Sequence, residues 1–178
     1  MKDDIERFVY IQYYDSPCGR LVLGSAGEKL CFCDWYDKPC AERNMRRLAR
    51  LLDVNFVEET TAVIMKAKVQ LNEYFAGRRN TFDIPLFPVG TTFQLQVWSV
   101  LLDIPYGETC SYKDVALRIN NLKGIRAVAQ AIGANGISVF IPCHRVVGSD
   151  HSLTGFAGGL EAKRILLGIE SGNKCKAK

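Results

Sequence analysis

Short apolar runs broken by turn-forming residues open the chain. FVYIQYY and GRLVLGSA have the aromatic and β-branched content of strands, and they flank Asp15–Ser16–Pro17–Cys18–Gly19, a turn-forming stretch. KLCFCDW, after Gly27–Glu28, predicts a third strand. Connections this short join antiparallel neighbours, so a hairpin-rich antiparallel sheet is expected. The spacing then lengthens. Residues 40–53 and 60–76 place their apolar positions at helical intervals, the second run opened by a threonine cap and closed before Gly77. RRNTFDIPLFPVG, with two prolines and a glycine, predicts an extended linker.

Beyond the linker the pattern turns helical. TTFQLQVWSVLLDI sets Phe93, Val97, Val100 and Leu101 on one face and ends at Pro105–Tyr106–Gly107. Ser111 caps a short helix, YKDVALRI, and a turn at residues 120–123 leads into a second, GIRAVAQAIGA. Two short helices across a tight turn predict a helix-turn-helix. Ala127, Ala129, Ala131, Gly133 and Ala134 leave the second helix with few side chains able to read bases. That smoothness suits close approach to a nucleic-acid backbone or narrow groove; packing against the rest of the domain explains some of it equally well. ISVFIPCHRVVGSD is a strand-like apolar run interrupted at Pro142–Cys143–His144–Arg145. The expected division is an α/β domain over residues 1–88 and a mostly helical domain, bearing the helix-turn-helix, over 89–178.

Composition adds modest constraints. Hydrophobic residues at 48% and charged residues at 24% are those of a water-soluble globule. No apolar run reaches the length of a membrane span, and the first residues lack a signal-peptide pattern, so a cytoplasmic protein without membrane contact is expected. The formal charge is +4, and all of it falls after residue 89. A mild positive bias permits nucleic-acid binding without demonstrating it. Seven cysteines in a reducing compartment are free thiols, mostly buried. Cys18, Cys31, Cys33 and Cys40 lack the paired spacing of a zinc site, so no metal is expected. Cys110 is expected in the interior near the domain junction, Cys175 in an exposed tail, Trp98 and Phe93 in the core, and His151 on a solvent-facing loop.

The chemistry gathers at Cys143 and His144. A thiol attacks as thiolate, and an imidazole is the usual means of deprotonating it, directly or through one water. Neighbours in a regular strand point to opposite faces, so Pro142 marks a break in that geometry. Three readings fit these residues alone. They are a group-transfer or hydrolytic cysteine aided by His144 and Asn135, a DNA-binding regulator without chemistry, and a structural cysteine.

Four motifs in order, FQLQVWSVLLDIPYGETCSY, KGIRAVAQAIGAN, IPCHRVVGSD and TGFAGGLEAKRILLGIE, resemble the O6-alkylguanine-DNA alkyltransferase family. The first half resembles it only in size and element order, most closely at YFAGRRNTFDIPLFPVGTTFQ. The resemblance implies a ribonuclease-H-like α/β domain followed by a winged helix-turn-helix. It implies repair by irreversible, stoichiometric transfer of an alkyl group from O6-alkylguanine, or O4-alkylthymine, to Cys143, with no cofactor. It implies that His144 acts as base through a water, that Glu170 holds His144, that Asn135 is a hinge, and that Tyr112 donates to guanine N3. Val146, Phe156, Ala157, Lys163 and Arg145 are implied at the base pocket. Arg126, Ser111, Ala127, Ala129 and Lys123 are implied at the DNA, with Arg126 filling the gap left by a flipped nucleotide. Phe156 and Ala157 stand where many members have tyrosine and some have serine. The implied partner is double-stranded DNA, bound through its minor groove with little sequence preference by a monomer. The expected central feature is a sulfur held deprotonated beside a cavity shaped for an unstacked purine.

Overall fold

The first three strands lie where their apolar runs predict. In the computed structural model, which describes residues 7–172, they are β1 (Phe8–Ser16), β2 (Gly19–Ala26) and β3 (Lys29–Trp35), paired antiparallel in succession. The first hairpin turns on Pro17 and Cys18, with Gly19 at φ +116°. A fourth strand, β4 (Asn55–Glu58), was not expected. It joins β1 in parallel, so the sheet order is β3-β2-β1-β4 and the sheet is mixed. Parallel pairing requires a crossover, which α1 (Pro39–Leu52) supplies. Four residues, only two of them apolar, carry too little pattern to announce a strand.

The sheet is covered on both faces. On one, Ala41 and Leu48 of α1 pack with Val9, Ile11, Val22, Cys31 and Phe32. On the other lies α2 (Ala62–Phe75), whose N-cap Thr61 accepts a hydrogen bond from the Ile64 amide at 3.2 Å. Its Ile64, Leu71 and Tyr74 meet Leu21, Leu23, Leu30 and Trp35.

The outer edge of β3 is closed by two later segments. Leu30 donates to the Pro85 carbonyl at 2.9 Å and accepts from the Phe87 amide at 2.8 Å, so the extended linker is pinned to the sheet. Cys33 donates to the Gly136 carbonyl at 2.8 Å and accepts from the Ser138 amide at 2.7 Å. An open edge exposes unpaired amides; here the second half of the chain fills them.

That half runs α3 (Thr92–Leu102), β5 (Cys110–Ser111), α4 (Tyr112–Arg118), a 3-10 turn at Leu122–Gly124, α5 (Ile125–Gly133), a second 3-10 turn at Cys143–Arg145, β6 (Val146–Val147) and α6 (Leu160–Glu170). Capping boxes Thr91–Gln94 and Ser111–Asp114 fix the starts of α3 and α4. Residues 137–141 are apolar as expected but do not form a long strand. They dock on β3 through one bridge at Ile137 and fold back, the Ile141 amide donating to the Ile137 carbonyl at 2.9 Å. Val139, inside this turn, has φ +73°, a costly conformation for a β-branched residue. Val97, Trp98, Leu101, Val115, Val128, Ile132, Ile141 and Leu166 belong to the same apolar core as Leu21, Leu30 and Tyr74. The halves therefore share one interior. Among the described residues no helix is long and apolar enough to cross a membrane.

Candidate active site

Cys143 opens the 3-10 turn that follows Pro142. A 3-10 turn has about three residues per turn, so successive side chains diverge by roughly 120°. Cys143, His144 and Arg145 are all buried there, yet they fan out to different partners.

The sulfur meets Asn135, whose Nδ2 donates to Cys143 Sγ at 3.1 Å and to the Ile141 carbonyl at 2.9 Å. Asn135 Oδ1 accepts from the Ile137 amide at 3.0 Å. One buried amide thus ties the end of α5 to the turn bearing the cysteine. Burial pushes the Cys143 thiol up, while the Asn135 hydrogen bond and the Lys163 charge pull the other way. Burial likewise pushes the His144 imidazole down, against the pull of Glu170. Both directions favour a neutral thiol and a neutral imidazole at rest over the standing thiolate expected from the sequence. Cys143 is only 5% exposed.

His144 Nε2 lies 2.7 Å from Glu170 Oε1. The carboxylate is ionised: burial alone would raise its pKa, but hydrogen bonds and charge from His144 and Arg145 hold it at about 2. It accepts, so Nε2 carries the proton. Nδ1 is then a bare acceptor, buried and without a partner among the described residues.

Arg145 does not face a base pocket. Its Nε donates to Glu170 Oε2 at 2.8 Å, its Nη2 to Oε1 at 3.0 Å and its Nη1 to the Ile104 carbonyl at 2.6 Å. The same carboxylate accepts from the Gly107 amide at 3.2 Å and, through Oε1, from the Tyr74 hydroxyl at 2.7 Å. Arg145 and Tyr74 are supports of Glu170 that the chain's local pattern gave no reason to place there. Tyr74 sits on α2, distant in sequence, among apolar residues that predict core.

Lys163 is fully buried and donates to the Val146 carbonyl at 2.6 Å and the Thr154 carbonyl at 2.8 Å, joining β6 to the loop over residues 148–159. Phe156 of that loop packs edge-on against Trp35 at 5.1 Å and lies 6.5 Å from the His144 ring. The Ala157 carbonyl accepts from Cys40 Sγ at 3.4 Å. Gly158 permits the approach: a Cβ there would stand 2.5 Å from the Trp35 ring. The Tyr112 hydroxyl is 3.4 Å from the Thr154 and Gly155 carbonyls. Phe156, Ala157, Tyr112 and Lys163 thus surround one loop beside the His144 side of the site. Val146 is fully buried and contributes its carbonyl.

The DNA-binding candidates gather around the helix pair. Lys123, Arg126 and Ala127 are exposed, and Ala129 is half-buried. Gln130 is also exposed, a polar side chain on the face expected to be smooth. Ser111 instead closes the capping box, its Oγ donating to Asp114 Oδ2 at 2.7 Å and accepting from the Asp114 amide at 3.1 Å. Cys110 is half-buried rather than interior, on β5 and paired with Val146. Trp98 is buried, Phe93 half-buried and His151 exposed. Cys175 lies outside the described residues.

Comparison with known proteins bears on both halves. The ribonuclease-like domain of 6-O-methylguanine DNA methyltransferase matches residues 9–88, and the DNA-binding domain of the same family matches residues 92–172. A methylated-DNA–protein-cysteine methyltransferase of Haemophilus influenzae is 43% identical over 163 residues, covering 91% of this chain and 86% of the relative. The constitutive enzyme of that name from Bacillus subtilis is 38% identical over 169 residues, covering 90% and 96%. Mycobacterium tuberculosis OGT, solved in complex with DNA, superposes with a TM-score of 0.81 at 38% identity, over 93% of this chain and 94% of that one. Agreement at this level across both halves means that the chain belongs to the 6-O-methylguanine DNA methyltransferase family.

Proposed function

We propose that Cys143 is the alkyl acceptor of this family's repair reaction, acting once per molecule. The observation that carries this reading is the bare, buried Nδ1 of His144, its tautomer fixed by Glu170, one residue from a thiol that Asn135 already contacts. The protein repairs DNA by direct alkyl transfer; the relatives that match 90% or more of its length are named methylated-DNA–protein-cysteine methyltransferases.

The steps follow from the residues. The alkyl carbon of a stacked guanine cannot be approached from behind, so the nucleotide leaves the helix, at a cost of a few kcal/mol. Arg126, at the start of α5, fills the gap, with α5 in the minor groove and phosphate contacts supplying most of the affinity. The thiol proton passes through one water to His144 Nδ1, and Glu170 stabilises the imidazolium. Asn135 Nδ2 and the Lys163 ammonium stabilise the thiolate. The sulfur attacks the alkyl carbon in line; the S–C bond forms, the C–O6 bond breaks, and its electron pair stays on guanine. Tyr112 at N3 and a backbone amide at O6 stabilise that developing charge. Guanine takes up a proton as it departs. The product is a thioether beside no group able to hydrolyse it, so the chain is consumed. A monomer suffices, since every role falls within one chain. All six cysteines among the described residues are free thiols, which suits a reducing cell interior.

Incubation with free O6-benzylguanine, followed by intact-mass measurement, tests the reading. One benzyl adduct per chain is expected, and none on Cys143→Ala, which keeps its affinity for duplex DNA. An unchanged wild-type mass favours a regulator without chemistry; steady turnover of esters or amides favours a hydrolase.

A further inference from the structure

Glu170 has more donors than a residue that merely holds a histidine needs. Oε1 lies within hydrogen-bond distance of His144 Nε2 at 2.7 Å, the Tyr74 hydroxyl at 2.7 Å and Arg145 Nη2 at 3.0 Å. Oε2 accepts from Arg145 Nε and the Gly107 amide. Four of these groups belong to the second half of the chain. Tyr74 alone comes from the first, on the face of α2 turned toward the shared core. It is 1% exposed, and its ring is fixed by Phe75, Phe82 and Tyr106 with centroids 5.3, 5.4 and 6.2 Å away.

We propose that Tyr74 is a positioning residue for alkyl transfer, through which the ribonuclease-like half orients Glu170 and sets the basicity of His144. The inference rests on the reading of His144 as the base. The phenol and the imidazole donate to the same oxygen, so they compete for its charge. Each hydrogen bond that Tyr74 makes to Oε1 weakens the pull of Glu170 on the His144 proton and lowers the affinity of Nδ1 for a second one. The phenol also fixes the carboxylate plane in a crowded interior where low polarity strengthens each contact. The other charged or titratable groups facing this cluster are Arg145, Lys163 and Tyr106, and Lys163 also faces Cys143. Arg145 and Lys163 oppose a charge on His144, and Glu170 alone favours it. Tyr74 acts on the one favourable partner. The phenol stays neutral, because burial and the neighbouring carboxylate both push its pKa upward.

Tyr74→Phe removes the hydroxyl and keeps the ring. Two readouts separate a positioning role from packing. The first is the pH profile of Cys143 alkylation by O6-benzylguanine. Loss of one hydrogen bond on Oε1 moves its acidic limb upward by roughly half to one pH unit. The second needs no activity: a titration of 15N-labelled histidine by NMR. The chain has two histidines, and His151 is exposed, so the His144 resonance is identified without ambiguity. Its midpoint is expected to rise by the same interval, with Nε2 still the protonated nitrogen. A folded variant whose profile and titration both superpose on the wild type overturns the proposal. If the variant unfolds, the titration is run on Tyr106→Phe: that phenol bonds the Ile169 carbonyl at 3.3 Å rather than Glu170, so its His144 midpoint stays in place, and a shift there equal to one expected for Tyr74 overturns the competition argument. Wild-type protein that forms no adduct sinks the alkyl-transfer reading itself, independently of either variant.

Discussion

His144 has one ring nitrogen engaged and one bare, and the charge on Glu170 decides which. That carboxyl sits at about 2 in the folded chain against an ordinary 4.5. A depressed carboxyl adds stability that is complete above the unfolded value and is lost as pH falls from 4.5 toward 2. The amount is on the order of 3 kcal/mol. Glu170→Gln is expected to flatten this acid slope. It also leaves Arg145 buried without its counter-charge, lowering stability at neutral pH by roughly 3–5 kcal/mol. Urea unfolding at neutral pH and across the acid range measures both effects. Equal slopes in the two proteins would show that Glu170 bears no special charge interaction.

Elements place these residues, and they were legible in the chain to different degrees. The first three strands and the two long helices were plain, because each is several residues long and bounded by turn formers. The strand at residues 55–58 was not, since a parallel edge strand of four residues is defined by its partner. The reactive motif was legible by resemblance, but the direction of each side chain was not. Arg145 adjoins His144 in sequence, and only the 3-10 turn shows that it reaches Glu170 rather than a base. Tyr74 was invisible because its partner lies 96 residues away. The loop over residues 148–159 offers a second test. Gly158→Ala drives a methyl into the Trp35 ring, a rigid neighbour, and is expected to lower stability by about 1–3 kcal/mol and slow alkylation through displacement of Phe156. Unchanged kinetics would remove that loop from the site. On α5, Arg126→Ala is expected to slow repair of duplex DNA more than reaction with free O6-benzylguanine. Equal losses on both substrates would refute its wedge role.

At the scale of the whole molecule, the two halves share one core and close one sheet edge. Each large apolar side chain buried there contributes about 1.5–3 kcal/mol, so exposing the shared surface is costly for either half alone. A single cooperative thermal transition is expected, and two separated calorimetric peaks would contradict it. The proposed mechanism has a consequence for chemistry: a thiol this deeply buried is expected to stay unreactive until a nucleotide enters and the proposed base takes its proton. The central claim is that this thiol accepts one alkyl group and is then finished. The most direct measurement exposes the protein to excess duplex DNA containing O6-methylguanine and follows repaired guanine, intact mass and the peptide bearing Cys143 together. The account predicts that repair stops at one equivalent per chain, with a single methyl group on Cys143. Repair continuing past one equivalent, or a methyl group on another residue, would contradict it.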